Sequence, residues 1–232
     1  MKSTLLSILA FIALAIAFLA TPLFFTSGKP PLPPPSEGLP WQIDMLPEGR
    51  SKVFGLTLGE GTLNDAMVKF GHGDHHPQIA IITAPEETGV LEAYWESVSA
   101  GFITGKMVLT LEVSKEVIES MRSRSIKTEY MKSTTRQSTL HPDDKRAVLN
   151  FPIAAIAFIP AAQLDEERIL QRFGTPDERI RGINDTEHFL YPAKGLDLRL
   201  DGNGKEVLQY VAPRDFARLR HVLIDSKTVT TP

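Results

Sequence analysis

The feature that most constrains the fold of this chain is a short pattern that occurs twice. Residues 62–74 read TLNDAMVKFGHGD, and residues 165–177 read DEERILQRFGTPD. In both copies a polar residue that can cap a helix precedes a short helical segment, which then ends in Phe-Gly and a turn. A duplicated unit of this kind predicts a scaffold that presents a surface, and it does not by itself indicate a reaction.

Strand-like segments follow each copy. Residues 107–111 (MVLTL) correspond to 196–200 (LDLRL), and residues 115–118 (KEVI) correspond to 205–208 (KEVL). We therefore expect an α+β fold of two related units, each a short helical segment packed on an antiparallel sheet. One N-terminal transmembrane helix is expected to precede them.

The predicted organisation has five parts that differ in composition. They are a membrane anchor or signal peptide (1–27), a proline-rich spacer (28–40), the first helix-plus-sheet unit (41–150), the second helix-plus-sheet unit (151–225) and a disordered tail (226–232).

Local sequence predicts where both repeated helices begin and end. Thr62 and Asp65 match a capping box in which Asp replaces the usual Glu. Asp165 is the corresponding cap of the second helix, and Gly71 and Gly174 are expected to stop the two helices.

The strands are predicted from alternation and turn residues. In the first unit, residues 78–83 and 90–95 are expected to form a hairpin, whereas 117–130 combines helical and strand-like patterns and its type is left open. In the second unit, the apolar run 152–159 predicts a buried strand. Three more strands are expected at 188–191, 196–200 and 207–211, with a hairpin turn at 201–204 between the last two. A closing amphipathic helix is expected at 213–223.

The second unit, with LDEERILQRFGTPDERI followed by FLYPAKGLDLRLDGNGKEVLQYVAP, resembles the SmpA/OmlA family. That family includes BamE, a small lipoprotein of the outer-membrane β-barrel assembly machinery, and it shares its architecture with the β-lactamase inhibitor proteins. The resemblance implies a short helical segment packed on an antiparallel sheet, in two tandem copies, and a habit of binding other proteins. It brings no catalytic residues. This chain differs from the lipoprotein family because it contains no cysteine to acylate.

The N-terminal segment predicts a location in the bacterial envelope. Residues 4–25 form a run of 22 residues without a charge, which as a helix is long enough for a bilayer core of about 30 Å. Lys2 before the run favours insertion into the inner membrane with the C-terminal region in the periplasm. A cleaved signal peptide is the alternative, and it would leave a soluble periplasmic protein.

Composition excludes several classes of function. A net charge of −3 and a pI near 6.1 argue against a nucleic-acid partner. The absence of cysteine excludes disulfides and thiolate chemistry. Because the chain has neither a nucleophile elbow nor a phosphate-binding or dinucleotide-binding loop, we expect no cofactor and no enzymatic activity.

One cluster favours a chemical alternative. His72, Asp74, His75 and His76 lie within five residues and carry ligand types that suit zinc or a similar ion. The same residues occupy the turn that residues 174–177 form in the second copy, where a polar loop is needed for structural reasons alone. A solvated turn is therefore the first interpretation, and a metal site is the second.

A second segment stands out by its charge. Between residues 122 and 146 there are seven Lys or Arg and three Asp or Glu. This is either a solvated face or a contact for anionic headgroups or an acidic partner. Taken together, the sequence predicts a membrane-anchored envelope protein that recognises another envelope protein, with its oligomeric state open. The alternative is a metal-binding envelope protein that uses the turn with His72, Asp74, His75 and His76, and a third is an enzyme whose site is assembled from residues distant in sequence.

Overall fold

The large antiparallel sheet expected from the sequence is present. The computed structural model describes residues 37–71, 76–131, 134–182, 185–202 and 204–228. Residues Glu37–Pro232 form one compact α+β unit. The apolar run 4–25 lies outside the described residues. In the part of the chain that the structure describes, no helix combines the length and the apolar character needed to cross a bilayer.

Five α-helices occur within the described residues. They are α1 (Leu63–Phe70), α2 (Lys115–Ser123), α3 (Pro142–Ala147), α4 (Glu166–Phe173) and α5 (Phe216–Thr228). The strands are β1 (Ile43–Leu46), β2 (Arg50–Val53), β3 (Leu56–Thr57), β4 (Gln78–Thr83), β5 (Val90–Ala100), β6 (Ile103–Leu111), β7 (Lys127–Tyr130), β8 (Arg136–Thr139), β9 (Ile153–Pro160), β10 (Glu178–Arg181), β11 (Thr186–Tyr191), β12 (Leu196–Asp201) and β13 (Val207–Val211).

The strands form two sheets. Strands β1, β2 and β3 make a small sheet that the sequence did not predict. The other ten form one sheet in the order β10-β11-β12-β13-β9-β6-β5-β4-β8-β7, and every neighbouring pair is antiparallel. Strand β9 pairs with β6 on one side and β13 on the other. The two predicted units therefore contribute to a single continuous sheet.

One face of the large sheet forms the main core. Alternate residues of its strands point to this face, and Trp95, Met107 and Phe158 are fully buried there. The apolar sides of α1, α2 and α4 and the small sheet belong to the same cluster. Phe54 joins it by contacts with Phe158 at 5.2 Å and Tyr210 at 5.3 Å between ring centroids.

The beginning of the folded region is fixed to the last strand of the sheet. The buried hydroxyl of Tyr210 donates a hydrogen bond of 2.9 Å to the carbonyl of Pro40. Burial raises the pKa of Tyr210 well above its ordinary value. Leu39 is also buried, so the folded region begins slightly before residue 41.

The predicted helix limits are confirmed. Thr62 and Asp65 form the capping box, and the Asp165 carboxylate accepts a hydrogen bond from the Arg168 backbone N–H. Gly71 and Gly174 each end their helix, but their backbone conformations differ. Gly174 has a φ of +83°, whereas Gly71 has a φ of −85°.

Other expectations need correction. Residues 115–118 are not a strand, because the Ser114 hydroxyl accepts from the Val117 N–H and starts helix α2. Their match to 205–208 is wrong, since residues 207 and 208 lie in β13. The segment 117–130 combines both candidate structures, with the rest of α2 first and β7 after it. Helix α5 continues to Thr228 and so enters the predicted tail.

Candidate functional site

The second face of the large sheet is incompletely covered, and we call its central part the open face. Four side chains from neighbouring strands, Tyr94, Val108, Ala157 and Gln209, form a row in register across β5, β6, β9 and β13. All four are half-buried, whereas the core-facing neighbours Met107 and Phe158 in the same strands are fully buried. The open face is therefore accessible to another molecule.

Small side chains lie at the middle of the open face. In the next row Glu92, Thr110, Ala155 and Val211 are paired in register, and Ala155 is half-buried. The run 152–159 was predicted to be a buried strand, and this holds for Ile156 and Phe158 but not for its alanines. Alanine side chains leave the backbone close to the surface, so a partner can approach the sheet closely.

A groove runs between the open face and helix α5. It has a volume of about 460 Å³, and Thr110, Ala155 and Val211 line it from the sheet while Leu219 and Val222 line it from the helix. A volume of this size falls in the range of ligand and side-chain binding sites, about 300–1,000 Å³.

Charged side chains also line this groove, at the start of α5 and at the end of β6. Asp215 lies 3.7 Å from Arg214 and 3.2 Å from Arg218, measured between nitrogen and oxygen atoms. Glu112 lies on the sheet side. The groove therefore combines an apolar lining with charges of both signs.

Helix α5 is fixed at one end of the open face. Phe216 packs against Ile180 and Leu190 in a small second cluster. Arg220 donates two hydrogen bonds to Glu178, at 2.7 and 2.9 Å. This guanidinium lowers the pKa of Glu178. The amphipathic helix expected at 213–223 is present, with Leu219 and Leu223 packed against the same cluster as Phe216, and it forms one wall of the groove.

The opposite end of the β6–β9 ladder has a smaller depression of about 170 Å³, lined by Lys106, Ile159 and Lys205 among others. Beside it the Tyr94 hydroxyl donates to Glu96, and Lys106 lies 2.7 Å from the same carboxylate. Lys106 and Tyr94 together lower the pKa of Glu96, with the Lys106 hydrogen bond as the larger cause.

Glu92 is an unusual member of the open face. Burial raises the pKa of Glu92. The Glu92 carboxylate loses part of its hydration in the folded protein, and this loss disfavours its charged form.

The structure also reveals a polar pair that sequence analysis did not identify. Asp197 is 0% exposed, and both of its oxygens lie 2.9 Å from Nδ1 of His188. Asp197 continues the row of the open face, next to Gln209. Only the strand register brings His188 and Asp197 together, so no local pattern could have predicted them. The His188–Asp197 pair therefore places a buried polar group in a fixed position where the open face meets β12.

The predicted metal site falls mostly outside the described residues. His72, Asp74 and His75 lie outside the described residues, and His76 is exposed. Among the residues that are described, no group of three or more His, Asp or Glu side chains is arranged to hold a metal ion. The metal site remains a prediction.

The basic segment 122–146 is divided among α2, β7, β8 and α3. Arg124 donates two hydrogen bonds, of 2.9 and 2.6 Å, to the carboxylate of Asp144. Asp144 is buried, and the guanidinium lowers its pKa despite the opposing effect of burial. Part of the positive charge is therefore neutralised within the fold.

No protein-family model, no curated protein and no solved structure matches this chain. The resemblance to the SmpA/OmlA family remains a prediction from sequence.

Proposed function

We propose that this protein is a non-catalytic recognition module whose open face binds another protein of the bacterial envelope. The observation that carries this proposal is the half-exposed row through Tyr94, Val108, Ala157 and Gln209 at the centre of a ten-stranded sheet. Exposed faces of this kind on an otherwise buried sheet are typical of interaction surfaces.

The dimensions favour a protein over a small ligand. From Gln78 in β4 to Gln209 in β13 the accessible part of the paired row crosses four strand spacings. At about 4.8 Å per spacing this part is roughly 19 Å long. A typical protein interface buries about 800 Å² on each partner, which corresponds to a patch of similar width. The groove beside α5 would receive one projecting side chain of the partner.

We also propose that the chain is anchored in the inner membrane by residues 4–25 and that the folded region lies in the periplasm. The uncharged run of 22 residues supports this. Determining the N-terminus of the mature protein tests it. An intact N-terminus in the membrane fraction is expected, whereas a chain that begins near Phe18 or Thr21 would show cleavage and a soluble product.

The two halves are proposed to be copies of one unit, as the SmpA/OmlA resemblance implies. What supports this is the order of elements, since α1 is followed by the antiparallel strands β4, β5 and β6, and α4 by β10, β11 and β12. In both halves a glycine separates the helix from the first of these strands.

Site-specific photo-crosslinking in intact cells tests the proposed function. A photo-reactive amino acid replaces Gln209 on the open face, and a second chain carries it at Glu167, which is exposed on α4. We expect a defined protein adduct from position 209 and none from position 167.

Introducing Ala157→Arg places a long charged side chain in the row and should abolish that adduct, whereas the matched Glu167→Arg should leave it unchanged. Melting temperatures of both variants show that the fold is retained. If position 209 yields no protein adduct, or if Ala157→Arg leaves the adduct intact, the open face is not the recognition surface.

A further inference from the structure

The two edge strands of the ten-stranded sheet, β10 and β7, have different surroundings. At the β10 edge, Glu178 is held by the two hydrogen bonds from Arg220, and Arg179 lies 2.8 Å from Glu166. These pairs connect β10 to α5 and α4, so charged side chains and two helices flank this edge strand, and charges on an edge strand oppose further strand pairing. The Lys127–Glu129 pair of β7 lies within the strand itself and connects it to no other element.

The β7 edge exposes large apolar side chains instead. All four residues of β7 are exposed. Around them Ile126 is 60% exposed, Tyr130 is 76% exposed and Met131 is 47% exposed. Ile126 and Tyr130 are four residues apart and therefore lie on the same side of this extended segment, which gives the edge an exposed apolar side of the kind found at interaction sites.

Backbone hydrogen-bonding groups are also available at this edge. The Met131 N–H donates to the Thr135 carbonyl at 2.9 Å, and Glu129 is paired with Gln137. Because bonding directions alternate along an antiparallel strand, the N–H and C=O groups of Thr128 and Tyr130 point away from β8. Among the described strands, none pairs with β7 on that side.

The region around the edge is positively charged. The described residues 122–131 and 134–136 contain four Lys or Arg and one Glu, in a chain whose net charge is −3. Arg124 is engaged by Asp144, and Lys127 pairs with Glu129 at 2.7 Å. Arg136, next to Tyr130 in register, makes no ion pair with another described residue. The edge would therefore attract a negatively charged segment.

We propose that the β7 edge binds an extended acidic segment of another protein, which adds to the sheet as a further strand. The donors and acceptors of Thr128 and Tyr130 would form the ladder, and Ile126 and Tyr130 would cover the apolar side chains of the incoming segment. This contact is separate from the open face.

Two other occupants fit the edge less well. A second copy of the chain would bring two basic edges together, which like-charge repulsion opposes. The chain's own ends outside the described residues, 1–36 and 229–232, contain no Asp or Glu, and the segment 30–35 is rich in proline, which lacks the N–H that a ladder needs.

Hydrogen exchange of the full chain in a non-ionic detergent, measured with added peptides, tests the proposal. A synthetic peptide of alternating glutamate and valine should slow exchange at Thr128 and Tyr130. A peptide of alternating lysine and valine should not. A third peptide has the glutamate–valine sequence with every backbone amide N-methylated. It carries the same charge but has no N–H to donate to a ladder, so it should leave both amides unprotected.

A charge reversal identifies the site. Arg136→Glu should weaken binding of the glutamate–valine peptide by about fivefold at low salt. Lys52→Glu makes the same charge change at an exposed residue of β2 and should have no effect. The proposal is overturned if no acidic peptide slows exchange at these amides. It is also overturned if only phosphatidylglycerol-containing vesicles protect them, or if protection depends on protein concentration because two copies pair.

Discussion

The first and second halves of the large sheet begin alike and end differently. Each starts with a capped helix, a buried phenylalanine and a glycine, and continues into three antiparallel strands. The second half then closes its outer edge with the Arg220–Glu178 pair, whereas the first half adds the exposed strand β7. The shared elements build most of the sheet, and the β7 edge, where the two halves differ, is the edge proposed to add a further strand.

The largest expected effect tests whether the two phenylalanines have the same role. Phe70 packs against Trp95 at 6.4 Å, and Phe173 packs against Trp41 at 6.4 Å and Tyr191 at 6.2 Å between ring centroids. Replacing either by alanine should lower the free energy of unfolding by about 3–5 kcal/mol, because both are buried. Urea denaturation measures this. A loss below about 1 kcal/mol for only one of them would show that the two helices do not support the sheet equally.

The next prediction concerns the two glycines. Gly174 has a φ of +83° and a ψ of −172°, a region that only glycine occupies readily. Apart from Gly174 itself and its two neighbours in the chain, no described residue has an atom within 4 Å of the position that a Cβ would take there. Gly174→Ala should therefore cost about 1–3 kcal/mol from backbone strain alone.

At Gly71 the cause should be different. A Cβ there would lie 2.5 Å from the Met67 carbonyl oxygen, at an ordinary φ of −85°. Gly71→Ala should therefore be destabilising through this contact and should displace the end of α1. Unfolding curves give both costs, and a neutral Gly174→Ala would contradict the strain argument.

A smaller difference in stability is expected between variants of the Arg124–Asp144 pair and variants of the Arg220–Glu178 pair. Asp144 is 4% exposed in its side chain, whereas Glu178 is 37% exposed. Arg124→Met leaves a buried carboxylate without its partner and should destabilise the protein more than Arg220→Met does. Melting temperatures at neutral pH compare the two variants.

The pH dependence of these pairs has a definite sign. Both carboxyl pKa values are lowered in the folded protein by the neighbouring arginine. The stabilisation is therefore present at neutral pH and is lost as the pH falls through the lowered values. The difference between each variant and the parent should disappear in acid, and a difference that persists there would point to lost packing instead.

The smallest expected effect is stabilising. Burial raises the pKa of Glu92, so its contribution becomes unfavourable as the pH rises from the ordinary glutamate value through the raised one. Glu92→Gln should increase stability at neutral pH by on the order of 1 kcal/mol or less. Below about pH 4 the variant and the parent should be alike. Destabilisation at neutral pH would show that the carboxylate has a favourable partner.

Sequence predicted the local features of the fold because they depend on neighbouring residues. The caps at Thr62 and Asp165 and the strands β9, β11, β12 and β13 were found in this way. The order of strands was not predictable, because it depends on pairings between distant residues such as Val108 and Ala157. The small sheet was missed since its strands have only two to four residues.

The candidate site was less predictable than the fold. Residues 152–159 form a continuous apolar run, which does not distinguish a strand buried on both faces from one buried on a single face. Only the register shows that Ala155 and Ala157 lie on the open face. The same limit applies to His188 and Asp197, which are polar residues in separate strands.

The contact between Tyr210 and Pro40 has a consequence for the order of folding during synthesis. Strand β13 lies between β12 and β9, so the large sheet stays incomplete until residue 211 has left the ribosome. Pro40 can be fixed only after Tyr210 is in place, although it is made among the first residues of the folded region. The Pro40 carbonyl must therefore wait for its hydrogen-bond donor until residue 210 has been synthesised.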